Sequence, residues 1–209
     1  IAVIACNKIA CSGTLDYYHE LKQLSIKYNA PFLFETNVGA GLPVIDTLNN
    51  LVASGDQIQE IYAVLSGSLN FILNNYKGDD KFANIVKRAQ LEGYTEPDPR
   101  IDLSGVDVAR KLLILARESG VSIDMEDIEN TSFLPNGAME ADSVKEFYKF
   151  IESQESIFKA IYEDAKNNNA QLKYVAEFKD GIAKVGLQSV EEGHPFFNLE
   201  GKDNIVIFY

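Results

Sequence analysis

Gln171-Leu172-Lys173-Tyr174-Val175-Ala176-Glu177-Phe178, then Lys179-Asp180-Gly181, then Ile182-Ala183-Lys184-Val185-Gly186-Leu187-Gln188-Ser189-Val190 is the stretch that decides the fold. Two strand-like runs flank an Asp-Gly turn, a strong local signal for a hairpin and hence for antiparallel pairing. Upstream the pattern differs, because short apolar runs alternate with segments of helical periodicity, as in a parallel sheet. Together the two patterns predict an α/β fold with α+β character. Its sheet is mixed and has helices packed on it, with strand-helix alternation first and the C-terminal hairpin last.

Working outward, Ile1 to Cys6 reads as a strand buried on both faces. Such a strand rarely opens a natural chain, so the sequence reads as a piece of a longer polypeptide. A helix follows from Thr14 to Asn29, then a strand over Pro31–Thr36 and a glycine-rich turn over Asn37–Pro43. A helix runs from Val44 to Gly55, and Gln59–Leu65 is the next strand, ending in Ser66-Gly67-Ser68. Helices are predicted over Leu69–Tyr76 and Asp79–Glu92. Two prolines exclude regular structure from Tyr94 to Arg100. The next helix spans Gly105–Ser119, capped by Ser104 or Asp102. An acidic connection then leads to one long helix over Asp142–Asn168, and Asn204–Tyr209 is the last strand.

The 31 acidic against 19 basic residues give a formal charge of -12. That argues against a nucleic-acid groove or an anionic membrane surface, since both need a basic footprint. No apolar run reaches the roughly 20 residues that span a bilayer. Cys6 and Cys11 cannot make a disulfide framework and read as buried free thiols. These features predict a soluble cytoplasmic protein.

Asp107 and Lys111 stand one helical turn apart, so carboxylate and ammonium share a face. Such pairs are usually surface decoration. Here Val106, Val108, Ala109 and Leu112 to Ala116 leave so little polar surface that the helix reads as buried on several sides. Buried charges need a purpose, and a half-buried lysine held by a carboxylate suits proton transfer. The two prolines fix the loop that carries Glu96 and Asp98 into this helix. Glu96, Asp102 and Asp107 around Lys111 would make an acidic pocket for a small substrate with an amino group. Gly39-Ala40-Gly41 lacks the third glycine of a dinucleotide fingerprint. Its carbonyls, with Glu35 beside them, leave a hard cation such as Na⁺ open.

One family shares these motifs in order along nearly the whole chain. Asn7-Lys8, Thr36-Asn37-Val38-Gly39-Ala40-Gly41-Leu42-Pro43 and Leu65-Ser66-Gly67-Ser68-Leu69 resemble homoserine dehydrogenase. Gly93-Tyr94-Thr95-Glu96-Pro97-Asp98-Pro99-Arg100, Asp102-Leu103-Ser104-Gly105 and Asp107-Val108-Ala109-Arg110-Lys111 complete the match. The likeness is strongest to the dehydrogenase half of bifunctional aspartokinase–homoserine dehydrogenase.

The resemblance implies interconversion of L-homoserine and L-aspartate 4-semialdehyde with NAD(P), within threonine and methionine biosynthesis. It makes Lys111 the proton-handling lysine, Lys8 a second active-site lysine near the nicotinamide, and Asp107 a catalytic and substrate ligand. Glu96, Asp102, Tyr94 and Ser68 line the substrate pocket, Glu96 facing the amino group. Gly93 and Gly201 are cofactor-contacting glycines. Glu35 with the carbonyls of Val38, Ala40 and Leu42 matches a sodium site. Residues 1–30 correspond to the nucleotide-binding domain and 31–195 to the substrate-binding, catalytic and dimerisation domain. Residues 196–209 return toward the nucleotide side. A homodimer is implied, as is an aspartokinase portion in the parent chain. The family's glycine fingerprint falls before Ile1, so the chain alone should be inactive, and Ile101 stands where an acid is usual. A non-catalytic amino-acid-binding or dimerisation module, and a lysine enzyme working through a Schiff base, stay open as alternatives.

Overall fold

A computed structural model describes all 209 residues. The chain begins with β1 (Val3–Ala5), α1 (Leu15–Lys27), β2 (Phe32–Phe34), the helical turn α2 (Thr36–Gly39) and α3 (Val44–Ala53). It continues through β3 (Ile61–Val64), α4 (Gly67–Asn75), α5 (Phe82–Leu91), the short α6 (Arg100–Leu103) and α7 (Val106–Glu118). Last come β4 (Ile128–Thr131), α8 (Val144–Ser153), α9 (Glu155–Asn167), β5 (Gln171–Lys179), β6 (Ile182–Val190) and β7 (Ile205–Phe208).

Five strands form one mixed sheet in the order β4-β6-β5-β3-β7, and β1 and β2 form a separate parallel pair. The expected hairpin is its longest pairing, Gln171 opposite Val190 through Lys179 opposite Ile182. Its two turn residues, Asp180 and Gly181, both have positive φ (52° and 78°), as a tight two-residue hairpin turn requires. Most of the core lies between one sheet face and the helices. The opposite face carries a small cluster of Val64, Val175, Val190 and Phe196, against which Leu199 packs.

Three expectations need correction. The acidic connection contains β4, which adds in parallel to β6 with Ile128 opposite Ala183. Only Ile128 of its four residues is buried, so backbone pairing rather than apolar alternation defines this edge strand.

The long helix is two helices. Gln154, at φ -101° and ψ 17°, breaks it. The buried Phe147, Ile151, Phe158 and Ala165 keep helical phase across the break, which explains the single-helix reading. Glu155 is spent on the neighbouring helix, accepting from the Tyr76 hydroxyl at 2.6 Å and the first amide of α5, Phe82, at 2.8 Å.

Finally, β1 is not buried on both faces. Ile4 is 84% exposed and Cys6 is also exposed, because β1 pairs only with β2. Cys11 is buried, as expected.

Two devices hold the segment carrying Lys8 against α7. The buried Arg117 guanidinium donates to the carbonyls of Cys11 (3.0 Å) and Gly13 (2.8 Å) and pairs with Asp124 at 2.7 Å. Its neighbour Glu118 accepts from the Tyr18 hydroxyl at 2.5 Å and pairs with Lys22 at 2.8 Å. At the other end of α7, Gly105 adopts φ 72°, and an added Cβ would lie 1.9 Å from the Tyr174 hydroxyl oxygen. Only glycine fits there, so α7 starts in close contact with the central strand.

Candidate active site

Asp107 lies in the first turn of α7, where the helix dipole favours a carboxylate, and Lys111 lies one turn further on. Asp107 bridges two lysines. Its Oδ2 meets Lys111 Nζ at 3.0 Å and its Oδ1 meets Lys8 Nζ at 3.0 Å. Lys111 Nζ also donates to the Leu65 carbonyl, at the end of β3, at 2.7 Å. Two of its three N–H groups therefore have fixed acceptors and the third is free for a ligand. The cluster holds two lysines, one more than residue spacing alone suggested. Burial pushes the Asp107 carboxyl up, but Lys111 and then Lys8 outweigh it, and the group ends below its ordinary range.

A second group adjoins this pair. The Leu69 amide donates to Ser66 Oγ at 3.2 Å, Ser66 and Ser68 hydroxyls are 3.0 Å apart, and Ser68 donates to Asp102 Oδ1 at 2.8 Å. Asp102 Oδ2 accepts the Glu96 amide at 2.9 Å, which ties the proline loop to α6. Burial pushes the Asp102 carboxyl up; the Glu96 amide and Ser68 hydroxyl oppose this without cancelling it, and Glu96 and Asp107 charges add to the rise. Asp102 thus does not cap α7, whose N-cap is Gly105. The exposed Glu96 side chain makes no ion pair, leaving its carboxylate available to an ammonium group. Asp98 is taken by Arg100, with contacts down to 2.6 Å, and takes no part.

The remaining expected residues make other contacts. The Tyr94 ring packs on Phe71, with centroids 4.6 Å apart, and under Lys202 Nζ at 4.9 Å. Gly93 closes α5 at φ 76°, and Gly201 stands in a turn at φ 57°, both with open space where a side chain would be. Their backbones can therefore be approached by a flat ring.

The sodium reading fares differently. Both Glu35 carboxylate oxygens accept amides of α3, from Ile45 and Asp46, each at 2.8 Å, and the Leu42 carbonyl accepts the Val44 amide at 2.9 Å. Helix capping accounts for the Glu35 side chain without a cation, so it lends no support to a Na⁺ site with the carbonyls of Val38, Ala40 and Leu42. No group of three or more His, Cys, Asp or Glu side chains gathers as a metal site.

Comparison with known proteins decides the family. A family model for homoserine dehydrogenase matches residues 43–209. The chain belongs to the homoserine dehydrogenase family. It is 41% identical over 207 residues to a bifunctional aspartokinase/homoserine dehydrogenase of Haemophilus influenzae, covering 99% of this chain and 25% of that protein. It is 37% identical over 216 residues to a homoserine dehydrogenase of Schizosaccharomyces pombe, covering all of this chain and 57% of that protein. The chain therefore spans about a quarter to just over half of the relatives it matches. A crystal structure of a Candida auris protein of unknown function superposes with a TM-score of 0.93 at 34% identity, covering all of this chain and 61% of that one. A hyperthermophilic archaeal homoserine dehydrogenase in complex with NADPH superposes at 0.70 with 26% identity, covering all of this chain and 54% of that one.

Several residues in and near this cluster carry little signal in residue spacing. Ser66 and the Leu65 carbonyl lie in the quoted Leu65-Ser66-Gly67-Ser68 motif, but their roles depend on where β3 ends. Lys202 and the pair Asn70 and Asn74 gave no chemical signal. Lys173 does give one, as a cation inside the otherwise apolar run from Leu172 to Ala176.

Proposed function

We propose that this chain is the substrate-binding and catalytic part of an enzyme that interconverts L-homoserine and L-aspartate 4-semialdehyde with NAD(P). The observation that carries the reading is Lys111, held by Asp107 and the Leu65 carbonyl with one N–H left over. The exposed Glu96 carboxylate, anchored through its own amide to Asp102, is suited to the substrate's ammonium group. NAD(P), when bound, supplies the hydride acceptor for the alcohol carbon. Lys111 manages the proton on the alcohol oxygen as the hydride leaves, so the alcohol loses one hydride and one proton and becomes an aldehyde. Asp107 keeps both lysines in place, and Lys8 adds positive charge beside the oxygen as its O–H bond weakens.

Gly93, Gly201 and Lys8 fit the nicotinamide side of a cofactor site. No G-x-G-x-x-G turn occurs within the 209 residues, so they offer no cradle for the pyrophosphate. Under this reading 1–30 belongs with the nucleotide-binding domain, 31–195 is the substrate-binding, catalytic and dimerisation domain, and 196–209 returns toward the nucleotide side. Tyr62, Ile205 and Ile207, partly buried on the sheet face opposite the helices, suit a homodimer interface. The bifunctional relatives support an aspartokinase portion in the parent chain, and the reaction so read takes its place in threonine and methionine synthesis. A cytoplasmic site of action rests on the acidic composition and the two free cysteines.

The test is an NADP⁺-reduction assay on the polypeptide that contains this chain, dependent on added L-homoserine. Turnover is expected there. The 209 residues alone should bind NADPH no tighter than roughly millimolar in calorimetry. No homoserine-dependent reduction by the containing polypeptide would reject the activity, and micromolar binding by the chain alone would mean the cofactor site is misplaced.

A further inference from the structure

Lys173 is the puzzle left in the core. It lies in β5, is only 1% exposed, and forms no ion pair. Its Nζ donates to Asn74 Oδ1 at 2.7 Å, to Asn70 Oδ1 at 3.4 Å and to the Leu199 carbonyl. Three donors meet three neutral acceptors, so no donor remains for a ligand. Burial pulls its pKa down to about 8, with Lys77 adding to the fall and Glu200 opposing it. Across the ladder β6 brings the uncharged Gln188 opposite. A cation buried without a counter-ion costs stability, and an apolar residue of the same length would avoid that cost.

What the lysine holds is the turn after Leu199. Asn74 Nδ2 donates to the carbonyls of Leu199 and Gly201, both at 3.1 Å, and Asn70 Nδ2 donates to that of Asp203 at 3.0 Å. Lys173 orients both amides by occupying their oxygens. The turn so fixed carries Lys202, whose ammonium lies over Tyr94. The Lys202 carbonyl would be 3.0 Å from a Cβ on Gly67, immediately before Ser68.

We propose that Lys173 is a positioning residue that, through Asn70 and Asn74, fastens the 199–203 turn to α4 and so places Lys202 against the Tyr94 and Ser68 side of the substrate pocket. The proposal rests on the substrate assignment above. Lys173 itself touches neither substrate nor cofactor.

The test uses Lys173→Met in the active dehydrogenase that contains this chain, with Asn74→Ala as the second variant. KM for L-homoserine should rise about tenfold to a hundredfold, the scale of a slightly misplaced binding group, while kcat changes less than about twofold. The melting temperature of Lys173→Met should change little, because removing the buried charge offsets the three acceptors it leaves unpaired. Amide exchange across 199–203 should quicken in both variants, and the double variant should add little to either single one. Unchanged exchange would overturn the tether. Faster exchange with an unchanged KM would overturn the link to the substrate pocket. If the wild-type protein fails to oxidise homoserine, the substrate assignment falls by itself, and the exchange result still decides the tether.

Discussion

Two lysines are drawn out of solvent in this molecule, and their surroundings are opposite. Lys111, with a side chain 14% exposed, has the Asp107 carboxylate on one side and one N–H unspent. Lys173 is sealed among neutral oxygens with every N–H spent. The first arrangement leaves one N–H free to reach a ligand beside a fixed carboxylate. The second lets nothing move, and it converts a costly charge into three fixed bonds. Burial of a lysine is therefore not itself a sign of catalysis.

The largest effect that can break this comparison is in turnover. Lys111→Ala in the containing enzyme should lower kcat by about 10²–10⁴, the usual worth of general acid–base assistance. Its melting temperature should barely change, since a pocket at the solvent edge loses a charge without gaining a core cavity. A near-normal kcat would reduce the Asp107–Lys111 pair to an ordinary helix ion pair.

A smaller effect sharpens the other half. The folded pKa of Lys173, about 8, lies below its unfolded value near 10.5. Between those values the unfolded chain holds a proton that the folded chain has released, so this group's contribution to stability rises with pH. Denaturant midpoints at pH 7.5 and 9.5 should show wild type gaining on Lys173→Met, by up to roughly 1.4 kcal/mol per pH unit. Parallel profiles would mean that the lysine is not isolated from water.

The same contrast describes what could be read from the sequence. Asp107 and Lys111 were legible because helical spacing puts them on one face, and the apolar remainder of the helix argued that the face was enclosed. The hairpin was legible because Asp180-Gly181 is local turn chemistry. The Lys8–Asp107 bond was not, because it joins the end of β1 to a helix a hundred residues later through a segment that Arg117 clamps. Nor was the 199–203 tether, which joins Asn70 and Asn74 of α4 and Lys173 of β5 to an irregular turn. The break at Gln154 escaped for a related reason, since apolar phase continues across it while the Glu155 contacts that redirect the chain are tertiary. Glu35 shows the converse. A carboxylate beside a glycine turn suggested a cation, and the fold gave it two helix amides instead.

The most direct test of the central claim, that Lys111 handles the proton on the substrate oxygen, is chemical rescue of Lys111→Ala by small primary amines. In the containing enzyme, added methylamine or ethylamine should restore homoserine oxidation in proportion to amine concentration. Among amines of similar size, the more basic should rescue better, as proton transfer requires. Absence of rescue by every amine small enough to enter, in a variant that still binds homoserine, would contradict the account.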